Sequence, residues 1–280
     1  MMNYSEFKER VVAEFKNYLP ETYQALDLNL RTVDKINREQ EHISMFGKGI
    51  TTSPSLCLDD MYQAYIDCGS FPQAMTEVAV IMVKAMEEAP QIALKDILAS
   101  KDKIIYQLVN TEWNKGMLEK VPHREFLDLS IIYRILVGNS ETDLRAAVIN
   151  NQLAEQIGLS EEQLYALAKE NTEKLLPLKI VMVPWVEDMY ALTNNAGVNG
   201  AVCMLYENGL CTIAQEFDSN LYILPSSTHE IIAIPTAGEL ETLLDIVKLV
   251  NEEEVHPTER LSNSVYHYDR ESREITLAEE

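Results

Sequence analysis

From Ile180 to Val247 the chain has neither lysine nor arginine, although nine acidic residues fall in that stretch. A surface without cations cannot hold a phosphate backbone, so direct nucleic-acid binding there is not expected. No apolar run approaches the roughly 20 residues that a membrane helix needs. The opening MMNYSEFKERVV is charged and lacks the apolar core of a secretion signal. A cytoplasmic location is therefore expected, with no membrane association. Four cysteines occur, Cys57, Cys68, Cys203 and Cys211, with no CxxC spacing among them. Zinc binding is not expected, and buried thiols in a reducing compartment are. The chain also lacks GxGxxG, HExxH, an EF-hand loop and the GxSxG elbow. No metal and no cofactor is expected on these grounds. Gly47-Lys48-Gly49 does not have phosphate-loop spacing and reads as an ordinary loop.

What is present is an ordinary globular composition, 46% hydrophobic over 280 residues, with a formal charge of −22. That charge is unevenly placed. Residues 1–180 carry 19 basic and 27 acidic groups, whereas residues 181–280 carry 4 and 18. A strongly anionic part of this kind attracts a basic partner or a divalent cation.

The stretch Met189–Pro235 organises the rest. Met189–Asn194 and Gly200–Tyr206 read as strands flanking the loop Asn195-Ala-Gly-Val-Asn199. Leu210, Ile213, Ala214 and Phe217 have helical spacing, and Asp218-Ser-Asn220 ends that helix. Leu221–Leu224 and Ile231–Ile234 are apolar enough for strands covered on both faces. Thr236 and Glu239 have capping-box spacing and predict a helix with Leu240, Leu243, Leu244, Val247 and Val250 inward. The unit reads ββαββα.

Elsewhere, Asn3 and Glu6 predict a helix start, with Tyr4, Phe7, Val11, Phe15 and Tyr18 on its inner face. Leu26, Leu28 and Leu30 alternate as in a strand, paired with His42–Phe46 across a turn at Arg38–Glu41. Asp59 and Ser70 each open a helix. The second carries Met75, Val78, Ala79, Met82, Val83 and Met86 on one stripe, which reads as core. Ile104–Asn110, Phe126–Val137, Leu144–Ile149 and Lys179–Val183 read as strands, and Ser160 with Gln163 caps another helix. Trp113–Lys120 reads as a short helix, Pro122–Glu125 as a loop, and Val265–Leu277 as a hairpin turning at Asp269–Arg273.

The fold class is α+β, with mostly antiparallel sheets and helices packed on one face, in two α+β units. The expected divisions are residues 1–98, residues 99–260 with the ββαββα core, and residues 261–280 as a hairpin with an acidic tail.

At LTNNAGVNGA, LYILPSSTHEIIAIP, PHREFLDLSIIYRILV and VYHYDRE the chain resembles a family of uncharacterised bacterial proteins. That family is common in gut-dwelling Gram-positive anaerobes and is labelled only as a domain of unknown function. The resemblance covers nearly the whole chain. The order of elements is loosely similar to a second uncharacterised bacterial family of α+β units. The resemblance implies a bacterial cytoplasmic protein and supplies no activity.

Two clusters are candidates for chemistry. The loop Ser226-Ser227-Thr228-His229-Glu230 brings hydroxyl, imidazole and carboxylate groups together, as nucleophilic catalysis requires. Ser227, His229 and Glu230 are its candidate catalytic residues, against a reading in which the hydroxyls bond backbone amides. His123 and Asp128 form a second polar cluster. Asp128 reads as a carboxylate inside an apolar strand, for which Arg124 or Arg134 would supply the charge partner. Asn194, Asn195 and Asn199 are candidate binding amides. The leading functional reading is a non-enzymatic interaction module with an acidic C-terminal surface and a basic protein partner. A small hydrolase or transferase centred on residues 226–230 is the alternative, and nucleic-acid mimicry by the acidic face is a third reading.

Overall fold

The computed structural model describes residues 1–47, 53–88, 94–140, 143–184, 186, 188–237 and 239–279. Lys48 and Gly49 of the glycine-flanked loop lie outside them. The chain divides into two compact units, Met1–Asp96 and Ile97–Glu280. Every strand pairing among the described residues is antiparallel, and the architecture is α+β.

The first unit opens with α1 (Tyr4–Glu14), followed by the short α2 (Glu21–Gln24). Asn3 and Glu6 form a reciprocal capping box, so two amides left over at the helix start are satisfied. Strands β1 (Asp27–Lys35), β2 (Arg38–Phe46) and β3 (Ser55–Cys57) form a three-stranded sheet. The β1–β2 reversal is at Ile36-Asn37, where Asn37 takes φ 64°. The expected turn at Arg38–Glu41 is therefore wrong. Asn accepts a left-handed backbone, and the charged residues after it are strand residues. Helices α3 (Leu58–Cys68) and α4 (Phe71–Glu87) follow, separated by Gly69 at φ 68°. Phe7, Val11, Phe15, Met75, Val78, Ala79 and Met82 meet in one core, as helical spacing predicts.

The second unit begins within α5 (Leu94–Ala99). A four-stranded sheet is built from β4 (Ile104–Asn110), β5 (His123–Phe126), β6 (Leu129–Ser140) and β7 (Asp143–Val148), with the short α6 (Lys115–Leu118) after β4. Residues 123–126, expected in a loop, pair with β6. The reversal is at Leu127-Asp128, with Leu127 at φ 57°. No glycine or asparagine marks it, and the apolar run reads straight through.

Helices α7 (Asn151–Ile157) and α8 (Glu161–Leu175) follow. The sequence reading has no α7, although Asn150 caps it and Gly158 closes it at φ 73°. Ser160 and Gln163 make the expected box on α8.

The six-stranded sheet runs β13-β12-β10-β11-β9-β8. Its strands are β8 (Leu178–Met182), β9 (Tyr190–Asn194), β10 (Leu221–Leu224), β11 (Ile231–Pro235), β12 (Tyr266–Tyr268) and β13 (Ile275–Leu277). Between β9 and β10 lie a 3-10 helix, Gly200–Leu205, and α9 (Gly209–Phe217). The expected strand at 200–206 is thus helical. Residues 200–204 are buried throughout, so no apolar alternation distinguishes the two forms.

Helix α10 (Leu240–Glu253) starts at Leu240 without a side-chain cap. Thr236, expected to cap it, instead contacts the Ser219 hydroxyl at 3.3 Å. Leu240 and Val247 are buried, Leu243 and Leu244 pack partly against the sheet, and Val250 faces outward rather than in.

The inner faces of both sheets share one core with α7, α8, α9 and the 3-10 helix. The other face of the six-stranded sheet is covered by α10 through Leu224, Ile232 and Ile234. That double cover explains why β10 and β11 read as apolar without alternation.

Replacing Asn3 by Ala removes one cap and is expected to cost about 1 kcal/mol. A urea midpoint equal to wild type would show that the cap contributes nothing.

Candidate functional site

The His123–Asp128 stretch lies at the β5–β6 reversal. Asp128 is in the turn, and neither Arg124 nor Arg134 is its partner. Its Oδ2 accepts from the hydroxyls of Ser262 (2.5 Å) and Ser264 (3.1 Å), and its Oδ1 from Tyr266 (2.8 Å). Three hydroxyls meet the needs of a half-buried carboxylate and fasten the segment entering β12 to the turn. His123 donates from Nδ1 to the Val121 carbonyl at 3.1 Å. A carbonyl only accepts, so the proton is on that nitrogen.

Arg124 forms a forked pair with Glu161, Nε to Oε1 at 3.0 Å and Nη2 to Oε2 at 2.8 Å. Tyr133 donates to the same carboxylate, and Arg124 stacks 4.0 Å from the Tyr165 ring centre. Burial pushes the Glu161 pKa up, but the Arg124 and Tyr133 hydrogen bonds outweigh it and hold the group below the ordinary glutamate range. A depressed folded value gives stability above the unfolded pKa, and that contribution is lost as pH falls through the folded value. Glu161→Gln should therefore be less stable than wild type at neutral pH, with the difference narrowing in acid. Urea midpoints over a descending pH series check this, and a pH-independent difference would refute it.

The 226–230 loop joins β10 to β11. Ser227 Oγ accepts from the backbone amide of His229 at 3.0 Å, and Ser226 Oγ donates to Glu230 Oε1 at 3.4 Å. The His229 ring turns away from both. Its Nδ1 accepts from the Asn199 amide at 3.1 Å, and its Nε2 lies 3.5 Å from Glu259 Oε1. Accepting at Nδ1 fixes the proton on Nε2, facing Glu259. Among the described residues, no hydrogen bond from side chain to side chain links Ser227, His229 and Glu230 to one another. Glu259, 29 residues beyond Glu230, carries no sequence signal for this contact.

The asparagine loop lies against this ring. Asn194 is buried, its Nδ2 donating to the Val198 carbonyl (2.8 Å) and its Oδ1 accepting from the Ala196 amide (3.0 Å). Asn199 takes a left-handed backbone at φ 54°. Asn195 is exposed at the loop tip. Gly200 then passes hard against β9 and the 226–230 loop. A Cβ there would fall 2.2 Å from Thr193 Oγ1, 2.4 Å from the His229 carbonyl oxygen and 2.8 Å from the Asn194 nitrogen. Two of those atoms are backbone and cannot rotate away. Gly200→Ala is expected to cost about 1–3 kcal/mol. An unchanged urea midpoint would show that the loops give way freely.

Asn199 also connects to the four-stranded sheet. Its Oδ1 accepts from Gln107 Nε2 at 2.8 Å, and Gln107 Oε1 accepts from Arg134 Nη1 at 2.9 Å. Gln107 is 1% exposed. Arg134 Nη2 donates to the Ala146 carbonyl at 2.7 Å, while its buried Nε has no partner among the described residues. Burial alone lowers the Arg134 pKa, yet an arginine keeps its charge. The sequence reading names Arg134 only as a partner for Asp128 and does not single out Gln107.

Helix α10 supplies the acidic surface. Thr242, Ile246, Leu249 and Glu253 follow one another at helical spacing on its outer side. Ile246 is 46% and Leu249 53% exposed. Glu241, Asp245, Glu252 and Glu253 are exposed around them, and none is in an ion pair among the described residues.

Burial pushes the Cys203 thiol up to about 12, which removes it as a nucleophile at neutral pH. Cys57, Cys68 and Cys211 are likewise free of disulfides. Among the described residues no group of three or more His, Cys, Asp or Glu side chains is placed to hold a metal ion. No helix there is long and apolar enough to cross a membrane.

No curated protein and no solved structure matches the chain. The model of a family described as a family of unknown function (DUF5688) matches residues 4–186 and 181–270, nearly the whole chain, and the protein belongs to that family.

Proposed function

We propose that this protein is a non-enzymatic interaction module that binds a basic, amphipathic helical segment of another protein along the outer side of α10. The observation that carries this reading is the exposure of Ile246 and Leu249 amid Glu241, Asp245, Glu252 and Glu253. Exposed aliphatic side chains with a largely anionic edge, Lys248 being the one cation on α10, have the layout of an interface, with an apolar centre and a polar rim. A partner helix with leucines flanked by lysines or arginines matches both features. The apolar contact would supply most of the affinity, and the charges would supply association rate and selectivity. The stretch without lysine or arginine from Ile180 to Val247 favours the same sign of partner and disfavours nucleic acid. We place this activity in the bacterial cytoplasm, on the resemblance carried by residues 122–137, 192–201, 221–235 and 265–271, together with four cysteines that form no disulfide.

A synthetic amphipathic helix of leucine and lysine, against a scrambled peptide of equal charge, tests the reading by fluorescence anisotropy. The amphipathic peptide should bind more tightly than the scrambled one and weaken between about 50 and 500 mM salt, as screening requires. Leu249→Ser combined with Ile246→Ser should weaken it by about tenfold or more, the scale of two lost aliphatic contacts. Equal binding of both peptides, or binding untouched by the double substitution, would remove α10 as the docking face.

A further inference from the structure

Arg134 has no role in the surface just described, and its surroundings are unusual for a cation. It lies in β6, register-paired with Ile105 of β4 on one side and Val148 of β7 on the other. Its face of the sheet also carries Gln107, Ile132 and Leu136, by strand alternation. A guanidinium has five N–H donors. One meets the Gln107 amide oxygen and one the Ala146 carbonyl, both neutral acceptors, and the Nε–H meets nothing among the described residues. The chain has 45 carboxylates, yet none of those described is in an ion pair with this arginine.

A cation withdrawn from water without a counter-charge is costly, and folded proteins pair such groups or neutralise them. Arginine cannot neutralise, so a bound anion is the partner that would offset this cost. The local structure allows one to approach. Arg134 is partly rather than fully buried, Val148 beside it is 38% exposed, and Ala146 and Asn199 are half-buried. The Gln107 side chain, held between Arg134 and Asn199, fixes Nη1 and the Ala146 carbonyl fixes Nη2, so the guanidinium is held in place with its Nε–H lacking an acceptor among the described residues. The overall negative charge opposes anions at long range, but beyond about 8 Å that field is screened at physiological salt.

We propose that the Arg134–Gln107–Asn199 cluster is a binding site for a small oxyanion, a phosphate or carboxylate group, with Arg134 as its forked donor. This is independent of the α10 surface and involves different strands and loops. Forked recognition of planar or tetrahedral oxyanions is the strongest use of a guanidinium with free N–H groups.

The test is titration of the full chain with inorganic phosphate, and in a second arm with succinate, at constant ionic strength. Calorimetry and the arginine Nε–H signals in nitrogen–proton NMR spectra are the readouts. Saturable binding of at least one anion is expected, with the Arg134 Nε–H signal among those that move. The arm that binds more tightly identifies phosphate or carboxylate as the natural group. Arg134→Met should reduce that affinity by about tenfold or more, the scale of lost charge-assisted hydrogen bonds. Arg31→Met, on an exposed strand of the first unit, should leave it unchanged. If the Met variant does not fold, the wild-type Nε–H titration decides by itself. No saturable binding of either anion, binding that survives Arg134→Met, or an Arg134 signal that stays fixed while anion binds would each overturn the proposal.

Discussion

The second unit depends on one close approach, where Gly200 passes the end of β9 and the loop carrying His229. No side chain fits between the Gly200 backbone and Thr193 Oγ1 or the His229 carbonyl. The contact permits two others. The Asn199 amide reaches the His229 ring, and the Asn199 side chain reaches Gln107. One left-handed residue followed by one glycine thus joins the six-stranded sheet to the four-stranded sheet by polar contacts, beside the apolar core that they share. Backbone packed this closely leaves little freedom, because its amides and carbonyls must find partners within the turn.

Seen from this crossing, the residues that look most chemical in the sequence have other uses. Ser227 and Thr193 hydroxyls are engaged with backbone groups of the His229 turn. His229 accepts from an amide, and Asn194 closes its own loop. Each polar side chain meets a backbone group that the crossing would otherwise leave unpaired. Clustering of hydroxyl, imidazole and amide side chains is what a buried irregular loop requires, and it has the same composition as a catalytic loop. Sequence adjacency cannot separate the two, because the distinction lies in which atoms the side chains face.

Legibility in the sequence follows the same division. Where one face of an element meets solvent, the pattern is readable. The capping boxes at Asn3 and Ser160, the stripe of α4 and the terminal hairpin all stand where spacing places them. Where an element is buried on every side, the pattern disappears. Residues 200–205 are apolar throughout and pass for a strand, although they form a 3-10 helix. Leu127 turns the chain with a positive φ and no residue type to announce it. The Asp128 partners lie 134 to 138 residues away, and hydroxyls replace the expected arginine. Long-range polar pairing of this kind leaves no local trace.

The treatment of charge gives the two candidate sites their contrasting characters. Arg124 is satisfied by the Glu161 fork, and Asp128 by three hydroxyls, so neither offers unmet capacity. Arg134 and the α10 carboxylates do. The first is a cation held by neutral acceptors within a sheet face, and the second a largely anionic row, broken by Lys248, around exposed aliphatic groups. Solvated carboxylates on α10 cost little to maintain, since water screens them, so their presence shapes partner choice without burdening the fold. Arg134 is different, because part of its guanidinium has lost water and gained only two hydrogen bonds in return. A charge kept under those conditions is more strongly constrained than any on the acidic surface, and its local environment favours a ligand of opposite sign.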